Sequence, residues 1–199
     1  MTHRLRLSAG IAQDERGITV VEFAMVAPVM LLLIMGLGDL VHQAYVQAVL
    51  DGTVQKAARD SAIQGGGGRT GQIDAIVEEA VQSVAPGAVV PPADRQTYSS
   101  FATVGPERFK DDNNNGARNP GECFDDVNGN KQWDAEPGSI GQGGAIDVTL
   151  LTYSVTYDRL FPTAAFVGWP ASVTLRSQTL LRNQPYASQA AFNIIEICT

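Results

Sequence analysis

Asp111, Asn113, Asn115, Gly116 and Glu122 stand at positions 1, 3, 5, 6 and 12 of one short stretch. This is the ligand spacing of an EF-hand calcium loop, in which the odd positions turn oxygens to one side, the glycine permits a sharp bend and the last glutamate closes the shell with two oxygens. A second cluster, Asp126, Asn128, Asn130 and Asp134, keeps the spacing 1, 3, 5 and 9. It has Glu136 close behind and Lys131 where the glycine belongs. Oxygen donors without histidine or suitably placed cysteine select a hard cation, so Ca²⁺ comes before Zn²⁺. Entering and exiting helices are not evident, and Pro120 falls inside the first cluster. The region is therefore a calcium loop without EF-hand helices or, on the other reading, a solvated turn region, because Asp, Asn and Gly favour turns for local reasons. Without a cation, the eight acids against four bases between Glu107 and Glu136 would repel one another.

The other chemical signal is a lone acid in an apolar run. From Ile18 to Leu37 only Glu22 is not lipid-compatible. At a rise of about 1.5 Å per residue a helix over this run is roughly 30 Å long, the thickness of a bilayer's hydrocarbon core. A carboxylate there costs roughly 2.5–3.5 kcal/mol on insertion scales, so it needs a partner or a task. Gly17 followed by Ile18, with Glu22-Phe23 five residues on and Arg4, Arg6 and Arg16 in the leader, resembles the processing site of type IV prepilins. The resemblance implies cleavage after Gly17 by a prepilin peptidase, a new amino terminus at Ile18, and an assembly role for Glu22, whose carboxylate compensates a neighbouring subunit's terminal amine. A secretory signal would instead be cut beyond the apolar run, where Gly36-Leu37-Gly38 is a weak candidate. An uncleaved anchor is the remaining reading. The basic leader, set against Asp39 just after the span, orients the amino terminus to the cytoplasm and the body outside.

Composition narrows the function classes. The chain has 199 residues and a formal charge of −7, with no basic cluster beyond the leader. Phosphate recognition usually needs a basic face, so a nucleic-acid partner is not expected. The only histidines are His3 in the leader and His42 just past the span, and no spacing singles out a pair of catalytic carboxylates. An enzyme is not expected. Cys123 and Cys198 are the only cysteines. An oxidising exterior permits them to pair, which would stabilise the fold by roughly 4–5 kcal/mol in the chain-entropy model, whereas two free thiols or one intermolecular bridge are the alternatives.

The elements that must carry these groups follow from periodicity. A leader spans 1–17, a transmembrane helix 18–38 and its extracytoplasmic extension 39–64. The extension shows an apolar face of Leu40, Val41, Ala44, Tyr45, Ala48, Val49 and Gly52. One long helix is expected from Ile18 to about Ala62, with Pro28 tolerated through a kink. The glycine run at 65–71 lacks the lysine of a phosphate-binding loop and reads as a linker. An α+β domain is expected over 72–199. In it, Ile73, Ile76, Val77, Ala80, Val81 and Val84 mark a short helix, and Thr97–Val104 a strand. The acidic loop covers 107–144. Ala145–Tyr157 reads as one long strand or a bent pair, Ser172–Leu181 as a half-buried strand, Leu160–Pro170 as a packed connection or a short helix near the membrane surface, and Phe192–Cys198 as a last short strand.

Three further segments add a resemblance: Phe124–Asn130 through Trp133-Asp134, then Gly141–Val148, then Leu180–Tyr186. With Gly17-Ile18, Glu22-Phe23 and the long helix, their order is similar to that of the TadE-like family. The resemblance implies a minor pilin or pseudopilin of a tight-adherence (Tad/Flp) type IVc pilus. It would be processed by a dedicated peptidase and act with the inner-membrane assembly platform, sister minor pilins and the major pilin, in the membrane or in the fibre. Gln184 stands where an acid is expected before the proline. From a different class comes an uncleaved, signal-anchored, calcium-binding adhesion module.

Overall fold

The computed structural model describes residues 18–63, 65–185 and 194–198. The leader with Gly17, the residues Tyr186 and Phe192-Asn193, and with them part of the expected last strand, lie outside the described residues. The chain forms two compact units, one of residues 18–44 with 159–171 and one of residues 45–158 with 172–198 among those described. The helix α1 (Ile18–Ala62) supplies residues to both. The run forms a helix because it is rich in alanine, leucine and methionine, and its single proline, Pro28, is held within it.

In the first unit the large side chains of α1 face outward. Val20, Phe23, Met25, Val29, Leu33 and Leu37 are each more than half exposed, as they are in a helix made for lipid rather than for a protein core.

The second unit is a four-stranded antiparallel sheet in the order β3-β1-β4-β5, with β1 (Asp94–Tyr98), β3 (Ser139–Ile140), β4 (Val148–Asp158) and β5 (Ser172–Arg182). Val46, Leu50 and Val54 from α1, Ile73, Val77 and Val81 from the short helix α2 (Thr70–Gln82), and Leu151, Tyr153, Val155, Val173 and Leu175 from the sheet share one core. In the long β4–β5 ladder Tyr153 faces Ser177, Val155 faces Leu175 and Tyr157 faces Val173, so alternate side chains of both strands reach that core.

The expected apolar face of the extension is not the core face. Tyr45 is 57% exposed, Ala44, Ala48 and Gly52 are exposed, and Val49 is half-buried. The buried stripe is Val46, Leu50, Val54, Ala57 and Ala58. Several stripes on this helix satisfy three- and four-residue spacing, and the one carrying the bulkier valines and leucine fills the space left by the sheet.

Two other expectations need correction. The strand expected over Thr97–Val104 lies earlier, at Asp94–Tyr98, and Phe101–Thr103 is a 3₁₀ turn. There the Thr103 hydroxyl donates to the Ser100 carbonyl at 2.9 Å and accepts the Ser100 N–H at 3.2 Å. Such side-chain bonds compete with strand pairing. The glycine run contains a 3₁₀ turn, Gly66–Arg69, with Gly66 buried, leading directly into α2.

The charged residues at the start of β1 are explained by a polar network set into the core. The Arg95 guanidinium donates to both Asp74 oxygens, at 2.6 and 3.2 Å, and the fully buried Tyr153 donates its hydroxyl to the same carboxylate at 2.5 Å. Burial, followed by this bond to Asp74, pushes the Tyr153 phenol well above its ordinary pKa, so it stays a donor. A second clasp joins two of the sequence segments named above. The buried Asn183 amide donates to the carbonyls of Gln142 and Gly144 at 2.8 and 2.7 Å. Next to it, the Gln184 N–H donates to the Ala62 carbonyl at 2.9 Å.

The smaller sheet pairs β2 (Cys123–Asp126) with β6 (Ile195–Cys198) in an antiparallel register that places Cys123 opposite Cys198. A disulfide joins them.

Candidate functional site

Both acidic clusters fold as loops with the same backbone plan. In the first, the two Asp111 oxygens accept the N–H groups of Asn115 and Gly116 at 3.1 and 2.7 Å. Glu122, the twelfth position, accepts from Asp112 at 3.2 Å through Oε1 and from Asn119 at 2.7 Å through Oε2. These donors are the second and ninth positions. In the second loop the Asp126 oxygens accept from Gly129 and Lys131 at 2.7 and 2.9 Å. Its second and ninth positions are Val127 and Asp134, and both donate at 2.9 Å to one carboxylate, that of Glu107.

Glu107 thus occupies in the second loop the place that Glu122 holds in the first, although it precedes its loop in sequence. Pro137, not an acid, stands at the twelfth position of that loop. The reason is a backbone pairing: Lys110 N–H donates to the Cys123 carbonyl and Asp125 N–H to the Arg108 carbonyl, each at 2.8 Å, which lays the segment before the first loop alongside β2. Phe109 bridges to Phe124 there and meets Trp133 edge to face at 6.0 Å, while the Trp133 indole donates to the Glu107 carbonyl at 2.8 Å.

The lysine in the glycine's place is accommodated. Lys131 takes the left-handed conformation (φ 63°) as Gly116 does (φ 77°). Four residues into each loop the roles exchange, with Asn114 at φ 56° and Gly129 at φ 80°. Each loop bends twice into left-handed backbone and spends its glycine on a different bend.

Burial decides what the loops can hold. Glu107 and Asp126 are 2% exposed and Glu122 is 5% exposed, while Asn113, Asn115 and Asn130 are exposed. Asn128 and Asn130 donate their amides to the Asp134 carboxylate at 2.8 and 2.6 Å. A carboxylate removed from water is costly unless it is hydrogen-bonded or paired with a cation, and Glu107, Asp126 and Glu122 each meet two backbone N–H groups. The all-oxygen donor set fits a hard divalent ion. Glu136, close in sequence, belongs to neither shell; it is exposed and lies near Tyr98, whose pKa it helps burial to raise. The sulfurs of Cys123 and Cys198 and a Glu196 oxygen lie within 4.8 Å of one another, but sulfurs joined in a disulfide offer no thiolate.

In the other unit, Glu22 and Phe23 are exposed on α1. Ile18 begins the described helix, and Gly17 lies outside the described residues. Among the described residues the protein is α+β, with one helix long and apolar enough for a single-pass membrane anchor, followed by a small domain with a short helix and antiparallel strands. The family model of TadE-like proteins matches residues 17–59. Over that stretch the chain is similar to TadE-like proteins. No curated protein and no solved structure matches the chain.

Proposed function

We propose that this chain is a minor pilin, or pseudopilin, of a Tad-type (type IVc) pilus used for surface adherence. A prepilin peptidase cuts it after Gly17, and α1 packs beside sister minor pilins and the major pilin at the inner-membrane assembly platform. Its amino terminus is cytoplasmic and its body extracytoplasmic, and its work is structural rather than catalytic. The observation that carries this reading is Glu22: a single acid in the exposed, otherwise apolar run of α1 that ends at Leu37, within the stretch that matches TadE-like proteins. Mass spectrometry of the native protein tests it. A mature amino terminus at Ile18 is expected, and a retained leader in the working protein rules the reading out.

In the body, two Ca²⁺ ions hold the acidic loops. Asp111, Asn113, Asn115 and Glu122 ligate one, and Asp126, Asn128, Asn130 and Asp134, closed by Glu107, ligate the other. The near-complete burial of Glu107, Glu122 and Asp126 supports this. Calorimetry on the detergent-solubilised chain should resolve two binding events. In Glu107→Gln one of them should weaken by at least about 10-fold while the other persists, and Glu122→Gln should show the reverse. Absence of heat at millimolar Ca²⁺ would dispose of both sites, and equal weakening of both by Glu107→Gln would refute its assignment to one loop.

A further inference from the structure

The connection from Leu160 to Pro170 carries no charged residue and holds Phe161, Phe166 and Trp169 within eleven positions. Its middle is a 3₁₀ turn, Pro162–Val167. Phe166 is 77% and Trp169 50% exposed, an unusual display for two aromatic side chains in a water-facing loop.

The first unit holds this segment firmly. Arg159 forms an ion pair with Asp39, and both side chains are close to buried. The other Asp39 oxygen accepts the Leu160 N–H at 3.2 Å. Arg159 also closes the neck of the loop, its N–H donating to the Ala171 carbonyl at 2.9 Å and its Nε to the Pro170 carbonyl at 3.0 Å. Gly38 lets the Phe161 ring approach so closely that a Cβ there would stand 3.3 Å from it.

An apolar groove results, walled by Leu33, Leu37 and Leu40 of α1 on one side and by Thr163, Phe166 and Trp169 on the other. One wall is the exposed flank of the apolar run itself. Residues 32–40 cover about 12 Å of helix at the usual rise, from the last part of the run to just past Asp39. Whatever covers the groove therefore sits at that depth, continuous with whatever surrounds the span. Tryptophan at such a level prefers the boundary between acyl chains and headgroups, and phenylalanine the acyl chains just beneath it.

We propose that residues 160–170 are a second membrane contact, a monotopic loop whose Phe166 and Trp169 enter the leaflet beside the outer end of α1, with acyl chains filling the groove. The Asp39–Arg159 pair sets the loop's depth against the helix. This rests on α1 spanning the membrane. The loop makes the anchor two-pointed, which restrains rotation of the helix about its own axis in the bilayer.

Trp133 and Trp169 are the only tryptophans, and all described cysteines are paired, so both optical and spin probes can be placed singly. The full chain is reconstituted in phosphatidylcholine–phosphatidylglycerol vesicles containing lipid brominated high on the acyl chain. In Trp133→Phe, the remaining Trp169 should lose at least half its emission to the brominated lipid and become severalfold less quenchable by acrylamide than in the unfolded chain. In Trp169→Phe, Trp133 should be untouched by the brominated lipid. Because Trp133 packs beside the acidic loops, a nitroxide on Phe166→Cys gives an independent reading. It should be more accessible to oxygen than to a water-soluble nickel chelate, as should a nitroxide on Leu33→Cys. If the Leu33 probe is in lipid and the Phe166 probe in water, the loop proposal falls and the span stands. If both are in water, the span reading falls with it. Broadening between Phe166 probes without quenching by brominated lipid would mean that a second copy covers the groove, which also overturns the proposal.

Discussion

Cells carrying Glu22→Val in place of the wild-type chain will release pili at background level, while the protein is still found in the membrane fraction in normal amount. The two halves of this result have one cause. The glutamate opposes insertion by roughly 2.5–3.5 kcal/mol, so removing it cannot weaken the anchor. What it removes is a carboxylate that sits exposed on the helix and that, on the proposed reading, meets the terminal amine of another subunit. That amine exists only after cleavage before Ile18. In a low-dielectric surrounding such a pair is far stronger than in water, and leaving either member alone is costly. Glu22→Asp should keep part of the assembly, because it keeps the charge at a shorter reach. Pili sheared from the surface and quantified against the membrane-bound pool give the measurement, and wild-type pilus yield from Glu22→Val would end the pairing proposal.

Removing the disulfide will have the largest effect on stability. Cys123 and Cys198 are 75 residues apart in sequence, so their link closes a long loop, and the chain-entropy model gives a loss of roughly 4–5 kcal/mol when it is removed. That is a large share of a typical domain's total stability of about 5–15 kcal/mol. The strand β6 has only four residues, three of them exposed, and pairs with β2 alone, so little else holds it. The double variant Cys123→Ser, Cys198→Ser, as the detergent-solubilised full chain, should unfold at a clearly lower urea concentration, and reducing the wild type should move it to nearly the same midpoint. Because β2 follows Glu122 directly and ends at Asp126, the Ca²⁺ affinity proposed for the loops should fall in the same variant. An unchanged midpoint would show that the closure does not carry the stability assigned to it.

Much of the architecture was legible in residue order because the relevant signals are local. Backbone hydrogen bonding and apolar periodicity act within a few residues, and they place α1 from Ile18 to Ala62, α2 under the Ile73–Val77–Val81 stripe and the two long strands on either side of residues 159–171. The strand misplaced at Thr97–Val104 failed for an equally local reason that propensity does not contain, the hydroxyl bonds of Ser100 and Thr103. β1 instead starts at polar residues because Arg95 is tied to Asp74, 21 residues away.

The candidate cation loops divide in the same way. The spacing of Asp111, Asn113, Asn115 and Glu122 is a short-range pattern and can be read directly. Glu107 could not be assigned from spacing, because it reaches the second loop only by pairing across β2. Its one signal in the sequence was the absence of an acid at Pro137, twelve positions into that loop.

By itself the sequence determined that an apolar helix long enough for a bilayer carries one acid near its start, and that oxygen donors recur at cation-loop spacing, since charge, hydropathy and period are properties of residues in order. Only the tertiary structure decided which stripe of α1 faces the core, which carboxylate closes the second loop, and that Phe166 and Trp169 lie beside Leu33 and Leu37. Each of those depends on which distant segments share space, and that choice is made by packing volume and backbone pairing across the whole chain.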